Sequence, residues 1–190
     1  MSTIVGLVTE TGVVVGGDTQ ATINNHKENH PLTPKVFKRG DFIFGCAGNY
    51  RDQQLISILP MPKIPWRGKN PTRETVFKYL LEQWVPVLRE SLQKNGRLLK
   101  DEDGTESSDC LEIVAYGDYL FTRESNFSVL SFEEYVAIGT GQSWAIGSLY
   151  TSHNYAITDG ERMIVALNAA AANDIYTSSP YTILSTGEPW

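Results

Sequence analysis

The sequence predicts an α+β fold in one domain spanning residues 1–190. Three observations carry this expectation. Runs of β-branched residues and helical patterns come in blocks (strands, helices, strands, helices) rather than in strict βαβ alternation. Hydrophobic residues make up 41% of the 190, enough for a sizeable core. No internal repeat or linker-like shift in composition divides the chain, and its length suits one core.

Residues 2–18 read as two strands. Thr3, Ile4, Val5, Leu7 and Val8 lead to a polar turn at Glu10-Thr11-Gly12, and Val13, Val14 and Val15 then run into Gly16-Gly17-Asp18. The polar stretch Thr19–Pro34, with Asn24, Asn25, His26 and His30, reads as loop. A second hairpin is predicted over 35–38 and 42–47, around Arg39-Gly40-Asp41. Asn49 is a fair N-cap for a helix that Pro60 ends after Leu59. Three prolines between Pro60 and Pro65 exclude regular structure there. A longer helix follows, with Thr72 as its cap, Val76, Tyr79, Leu80, Trp84 and Val87 at helical spacing, and Pro86 as a site of kinking. Acidic residues 101–109 read as an exposed loop.

Strands resume at 111–116, 119–122, 127–132 and 135–138, with Gly117-Asp118 as the tight turn between the first two. Helices are expected over 142–151 and 159–173, the second with Ile164, Val165, Leu167 and Ala171 along an Ala-rich face. A short strand over 181–184 closes the pattern.

Lys plus Arg is 16 against 22 Asp plus Glu, a net charge of −6, which argues against a phosphate-tracking nucleic-acid binder. No apolar run approaches the ~18 residues of a membrane helix. The start lacks the basic and long apolar segments of a signal peptide, so a cytoplasmic location is expected. Cys46 and Cys110 show no CxxC spacing and are expected as two reduced, buried thiols.

Among groups that do chemistry, the three histidines offer little. His26 and His30 lie four apart, but the intervening Glu28 sits one position late for a helical HExxH zinc site, and the segment reads as exposed loop. His153 has no readable partner. No GxSxG elbow, Walker loop or GxGxxG is present.

The N-terminus is more informative. Initiator Met is expected to be removed before a residue as small as Ser2, giving one residue with both a free α-amine and a hydroxyl. An α-amine with a pKa of about 7.7–8.0 is partly neutral at pH 7 and can serve as base for its own hydroxyl.

The segments STIV, GVVVGGDTQAT, KVFK and FGCAGNYRD, followed by EYVAIGTGQSWAIGSLY and AANDIYTSSPYTIL, resemble the proteasome β-subunit superfamily of N-terminal-nucleophile hydrolases. The resemblance is greatest to the peptidase subunit of the bacterial ATP-dependent protease of heat-shock-locus V type. It covers residues 2–23, 35–55 and 135–184; between 60 and 132 only the rhythm of strands and helices matches. The Pro-rich and acidic segments at 60–73 and 101–109 look private to this chain.

The resemblance implies a four-layer α/β/β/α sandwich of two antiparallel sheets. It places Ser2 at the family's N-terminal Thr nucleophile and Asp18 at the acid that pairs with a buried lysine. Lys35 falls on that lysine, whose charge lowers the amine pKa, and Lys38 is the alternative register. Gly48 falls on the glycine whose N–H faces the oxyanion. Thr140 matches the serine that hydrogen-bonds the amine, Asp174 matches the aspartate beside it, and Thr177 assists. Each also has a plainer reading: Ser2 as an ordinary exposed start, Asp18 in a turn, Lys35 as a solvated charge at a strand start, Gly48 as a hinge, Thr140 and Asp174 as helix caps.

The resemblance further implies peptide hydrolysis within a homo-oligomeric ring, hexameric or heptameric and stacked in pairs, fed by a separate ATP-driven (AAA+) unfoldase. No cofactor is required for the chemistry, and a structural monovalent or divalent cation near the Asp174 loop is compatible with it. Ser2 departs from the family's Thr by lacking the methyl that restricts its rotamer, so slower chemistry is expected. Retention of Met1 would convert the amine to an amide and silence the site. A catalytically idle ring or scaffold and a small-molecule amidase are the alternative functions.

Overall fold

The computed structural model describes residues 2–23, 26–29, 33–66 and 69–187; Met1, Asn24, Asn25 and His30 lie outside them. Side chains of a strand alternate between faces, and both faces of the first two strands are apolar. In β1 (Thr3–Thr9), Ile4 enters one buried cluster while Val5 and Leu7 enter another. In β2 (Gly12–Asp18), Val13 and Val15 join Ile4, and Val14 joins Val5.

The remaining strands are β3 (Gln20–Ile23), β4 (His26–Asn29), β5 (Val36–Arg39), β6 (Phe42–Gly48), β7 (Leu99–Lys100), β8 (Glu106–Ser107), β9 (Cys110–Tyr116), β10 (Tyr119–Arg123), β11 (Val129–Phe132), β12 (Tyr135–Gly139) and β13 (Tyr181–Ser185). The helices are α1 (Tyr50–Ile58), α2 (Arg73–Tyr79), α3 (Val85–Lys94), α4 (Gln142–Ser152) and α5 (Asp159–Asn173). Two large antiparallel sheets result, in the orders β12-β1-β2-β13 and β11-β10-β9-β6-β5.

Three apolar clusters relate these elements. Ile4, Val15, Ile43, Ile113, Leu120 and Ile138 bring residues of both sheets together. Val5, Leu7 and Val14 pack with Ala145 and Leu149 of α4 and with Met163 and Leu167 of α5. Phe42, Phe44 and Phe121 pack with Leu55 and Ile56 of α1 and with Trp84, Leu88 and Leu92.

Local chemistry explains where the helices begin. Asn49 accepts the Arg51 N–H at 2.9 Å, and Thr72 accepts the Thr75 N–H at 3.2 Å. Thr158 and Glu161 form a reciprocal capping box at the start of α5.

Four expectations need correction. The polar segment after Asp18 is not all loop: β3 and β4 pair as a hairpin with Ile23 opposite His26. Its polar composition hid a strand that buries Gln20 and Ala21, while His26 stays exposed. The acidic segment 101–109 contains β8, which pairs with β7 and is held by ion pairs from Arg89 and Lys100 to Glu106. Residues 127 and 128, expected as the start of a strand, instead belong to the turn before β11, with Phe127 at φ 66°. Finally, the helix before Pro86 contains a π-helical turn, Leu80–Trp84, in which the Val85 N–H reaches back to the Leu80 carbonyl. Pro86 lacks an N–H and crowds the carbonyl four residues earlier, and a widened turn relieves that conflict.

Leu120 is fully buried between the sheets. Leu120→Ala is expected to lower unfolding stability by about 2–5 kcal/mol through lost burial and a residual cavity. Urea denaturation should show this as a shifted midpoint with an unchanged slope.

Candidate active site

The peptide unit between Ser2 and Thr3 is fixed at both of its polar groups. The Ser2 carbonyl accepts the Thr140 N–H at 2.9 Å, and the Thr3 N–H donates to Asp18 Oδ1 at 2.9 Å. Gly139 makes the first contact sterically feasible. It has φ 95°, and a Cβ there would lie 1.9 Å from the Ser2 carbonyl oxygen. Ser2 is completely buried, and among the described residues its Oγ has no hydrogen-bond partner. Buried hydroxyls are normally satisfied, so an unpaired one calls for an explanation.

Asp18 ends β2 and gathers the next layer of contacts. Its Oδ2 accepts Lys35 Nζ at 2.6 Å and the Gln20 N–H at 3.0 Å. The same ammonium donates to the Gln20 carbonyl at 2.5 Å. Lys35 is the buried lysine of its segment, whereas Lys38 is exposed. Burial pushes the Lys35 ammonium below the usual lysine range, against the opposing pull of Asp18 and, more weakly, Asp174. Burial likewise raises Asp18, against the pull of Lys35 and two backbone N–H groups.

A second network approaches from the end of α5. Asp174 Oδ2 accepts the hydroxyls of Thr140 at 2.6 Å and Thr177 at 2.7 Å, and its Oδ1 accepts the Tyr176 N–H at 3.2 Å. Thr177 Oγ1 lies 2.6 Å from Thr3 Oγ1. Because Thr177 spends its proton on Asp174, Thr3 is the donor of that pair. Thr140 also spends its proton on Asp174, which leaves its lone pairs free to accept from an amine. Asp174 occupies the C-cap position of α5, yet its carboxylate serves this cluster.

Gly48 ends β6 at φ 139°, and a Cβ there would meet the Asp109 carbonyl oxygen at 2.2 Å. It is both a hinge into α1 and a point of close backbone approach. Ser2, Gly48 and Thr140 line one pocket of about 360 Å³ together with Ser108, Asp109, Cys110, Ser125 and Gln142. A separate concavity of about 520 Å³, lined by Lys38, Asp41, Asp118 and Tyr119, lies at the opposite end of β6 and holds none of these groups.

All six residues singled out from the sequence thus join through the pocket and two hydrogen-bond networks. Thr3, Gln20 and Gly139 were not anticipated. Gln20 lay in a segment read as loop, and its amide also donates to the Ile175 carbonyl at 3.1 Å, linking the two networks. Both cysteines are buried free thiols, and the neighbouring Cys110 thiol together with burial pushes the Cys46 thiol well up. His26 is exposed, and among the described residues no group of three or more His, Cys, Asp or Glu is placed to hold a metal.

Solved structures share this architecture. The chain aligns with BPH of Thiobacillus denitrificans in complex with epoxomicin at a TM-score of 0.76 and 18% identity, over 98% of this chain and 100% of that one. It aligns with eukaryotic HslV from Trypanosoma brucei at a TM-score of 0.61 and 19% identity, over 96% and 97%. The chain has the HslV-like, proteasome β-subunit fold. A Gly-1 mutant of Anbu from Hyphomicrobium sp. strain MC1 also shares it, with a TM-score of 0.68 and 14% identity, over 97% of this chain and 81% of that one. No family model and no curated protein matches the sequence. At these identities the likeness is one of fold, so the chemistry rests on the residues described above.

Lys35→Ala would leave Asp18 buried without its cation, an expected loss of about 3–5 kcal/mol at neutral pH. Removing the ammonium raises the Asp18 carboxyl further. The folded variant therefore binds more protons than its unfolded chain, and the deficit should shrink as pH falls through that raised value. Urea titrations at two pH values check both the size and the direction.

Proposed function

We propose that the chain is an N-terminal-nucleophile peptidase in which Ser2, freed of Met1, supplies both nucleophile and base. The observation that carries this reading is the Ser2 hydroxyl: buried, without a hydrogen-bond partner among the described residues, and in a pocket shared with Gly48 and Thr140. In the proposed reaction the neutral α-amine takes the hydroxyl proton and Oγ attacks the substrate carbonyl. The Gly48 N–H stabilises the tetrahedral oxyanion, a contribution of about 3 kcal/mol in comparable holes. The amine returns its proton to the leaving nitrogen, and water then cleaves the acyl-enzyme ester.

Lys35 keeps a positive charge near the amine, favouring its neutral form. Thr140 accepts an N–H from the amine while Asp174 holds the Thr140 hydroxyl in the required direction. Asp18 and Thr3 hold the Ser2–Thr3 peptide in place.

The larger setting is also proposed. The three apolar clusters fit a stack of helices, sheet, sheet and helices, the four-layer sandwich of this fold class, within one domain. A homo-oligomeric ring fed by a separate ATP-driven unfoldase in the cytoplasm fits the same reading. No described helix is long and apolar enough to cross a membrane. No cofactor enters the chemistry. A cation beside Asp174 fits the donor set poorly: both carboxylate oxygens already accept hydrogen bonds, and the Ile175 carbonyl accepts the Gln20 amide. No step runs through one.

BPH, which shares the fold, has been solved with epoxomicin, and a peptide epoxyketone is the direct probe here. It closes its stable ring only on a residue with a hydroxyl and a free amine. Intact mass spectrometry should show a protein lacking Met1 and carrying one adduct, with none on Ser2→Ala. Met1 retained and no adduct would defeat the peptidase reading.

The pH profile of turnover gives an independent check. The kcat/KM should rise with pH through one ionisation below the ordinary α-amine value of about 7.7–8.0, then level off. An ionisation at or above that range would remove the role given to Lys35.

A further inference from the structure

A second buried ion pair, Arg123 with Glu112, plays no part in the chemistry above. The two residues face each other across β9 and β10, 2.8 Å apart, with side chains 1% and 0% exposed. Trp84 Nε1 donates to the other Glu112 oxygen at 3.0 Å. Isolating two charges from water is costly, and a well-packed apolar pair is often as stable. What the pair holds in place is therefore the informative question.

The Arg123 guanidinium reaches beyond its carboxylate. It donates to Ser108 Oγ at 2.6 Å and to the Cys110 carbonyl at 2.7 Å. Ser108 Oγ in turn donates to the same carbonyl at 2.9 Å. Both residues line the Ser2 pocket. Between them, the Asp109 carbonyl accepts the Asn49 N–H at 2.6 Å and sits 2.2 Å from where a Gly48 Cβ would stand. The segment 108–110 is thus held by the guanidinium on one side and pressed against the Gly48–Asn49 backbone on the other.

We propose that Arg123 is a positioning residue for the oxyanion donor: through Ser108 and Cys110 it fixes the Asp109 carbonyl and, through that, the orientation of the Gly48 main chain. The role rests on the peptidase reading of the site. It requires a planar fork, because one ammonium cannot span Ser108, Cys110 and Glu112 together. Arg123 touches no reacting atom. Its loss should therefore weaken stabilisation of the transition state and leave ground-state binding nearly intact.

The test compares wild type with Arg123→Lys, Arg123→Met and Ser108→Ala. Turnover of a fluorogenic peptide amide is measured beside hydrogen–deuterium exchange of the segment 46–52. Complete loss of an oxyanion donor costs about 10²–10³ in kcat, and a loosened donor should cost less. A fall of about tenfold in kcat is expected for Arg123→Lys and about threefold for Ser108→Ala, with KM within about twofold and faster exchange over 46–52. Ser108→Ala removes a single hydroxyl and keeps the ion pair, so it carries the test if Arg123→Met fails to fold. Unchanged exchange over 46–52, or a loss confined to KM, would overturn the proposal. A wild-type protein without turnover would defeat the peptidase reading, and the exchange data would still decide this one: faster exchange supports the tie, and unchanged exchange overturns it.

Discussion

The carboxylate of Asp18 is the contact on which the site depends. It sits at the end of β2, fully buried, and accepts from the Thr3 backbone, the Gln20 backbone and the Lys35 ammonium. Those three donors belong to the start of β1, the start of β3 and the approach to β5. One side chain therefore joins segments from both large sheets and the small hairpin beside them. Burial of the ionised carboxylate is tolerable because the cation and two N–H groups replace its water. The geometry around Ser2 follows from that local balance.

The parts of the fold legible in the sequence were those in which one chemical pattern dominates. Runs such as Val13–Val15 and the Ala-rich face of α5 announce their structures through branching and period. Asn49 and Thr72 mark helix starts because a side-chain oxygen in that position satisfies an otherwise unpaired N–H. The hairpin from Gln20 to Asn29 was illegible for the opposite reason. Its polar residues resemble a loop, and what makes it a strand is tertiary: Gln20 hydrogen-bonds to the Lys35 ammonium and the Ile175 carbonyl. The π-helical turn was equally hidden, since Pro86 signals a backbone conflict without saying how it is relieved.

The site was legible to a similar degree. Ser2, Asp18, Lys35, Gly48, Thr140 and Asp174 are separated by long stretches of sequence, and only the family resemblance of the motifs around them collects them. The helpers Thr3 and Gln20 have side chains that suit many positions, and nothing local marks them. Ser108 and Asp109 end an acidic segment whose composition suggests only exposure, and Cys110, expected to be buried, follows them without any mark of a pocket. Their part in the pocket arises from the pairing of Gly48 with Cys110 across β6 and β9.

The two-sided burial of β1 and β2 carries a consequence for how this chain finds its native state. In a strand with one wet face, slippage by a residue would expose the apolar side, and hydrophobicity alone forbids it. Here Ile4 faces one core while Val5 and Leu7 face the other, so a slipped β1 would still present apolar groups in both directions. The distinction between correct and slipped pairings passes to the polar ends: the Thr3 N–H on Asp18 and the Ser2 carbonyl on the Thr140 N–H. The groups gathered for chemistry are thereby also the pins that tell the folding chain which residue belongs opposite which.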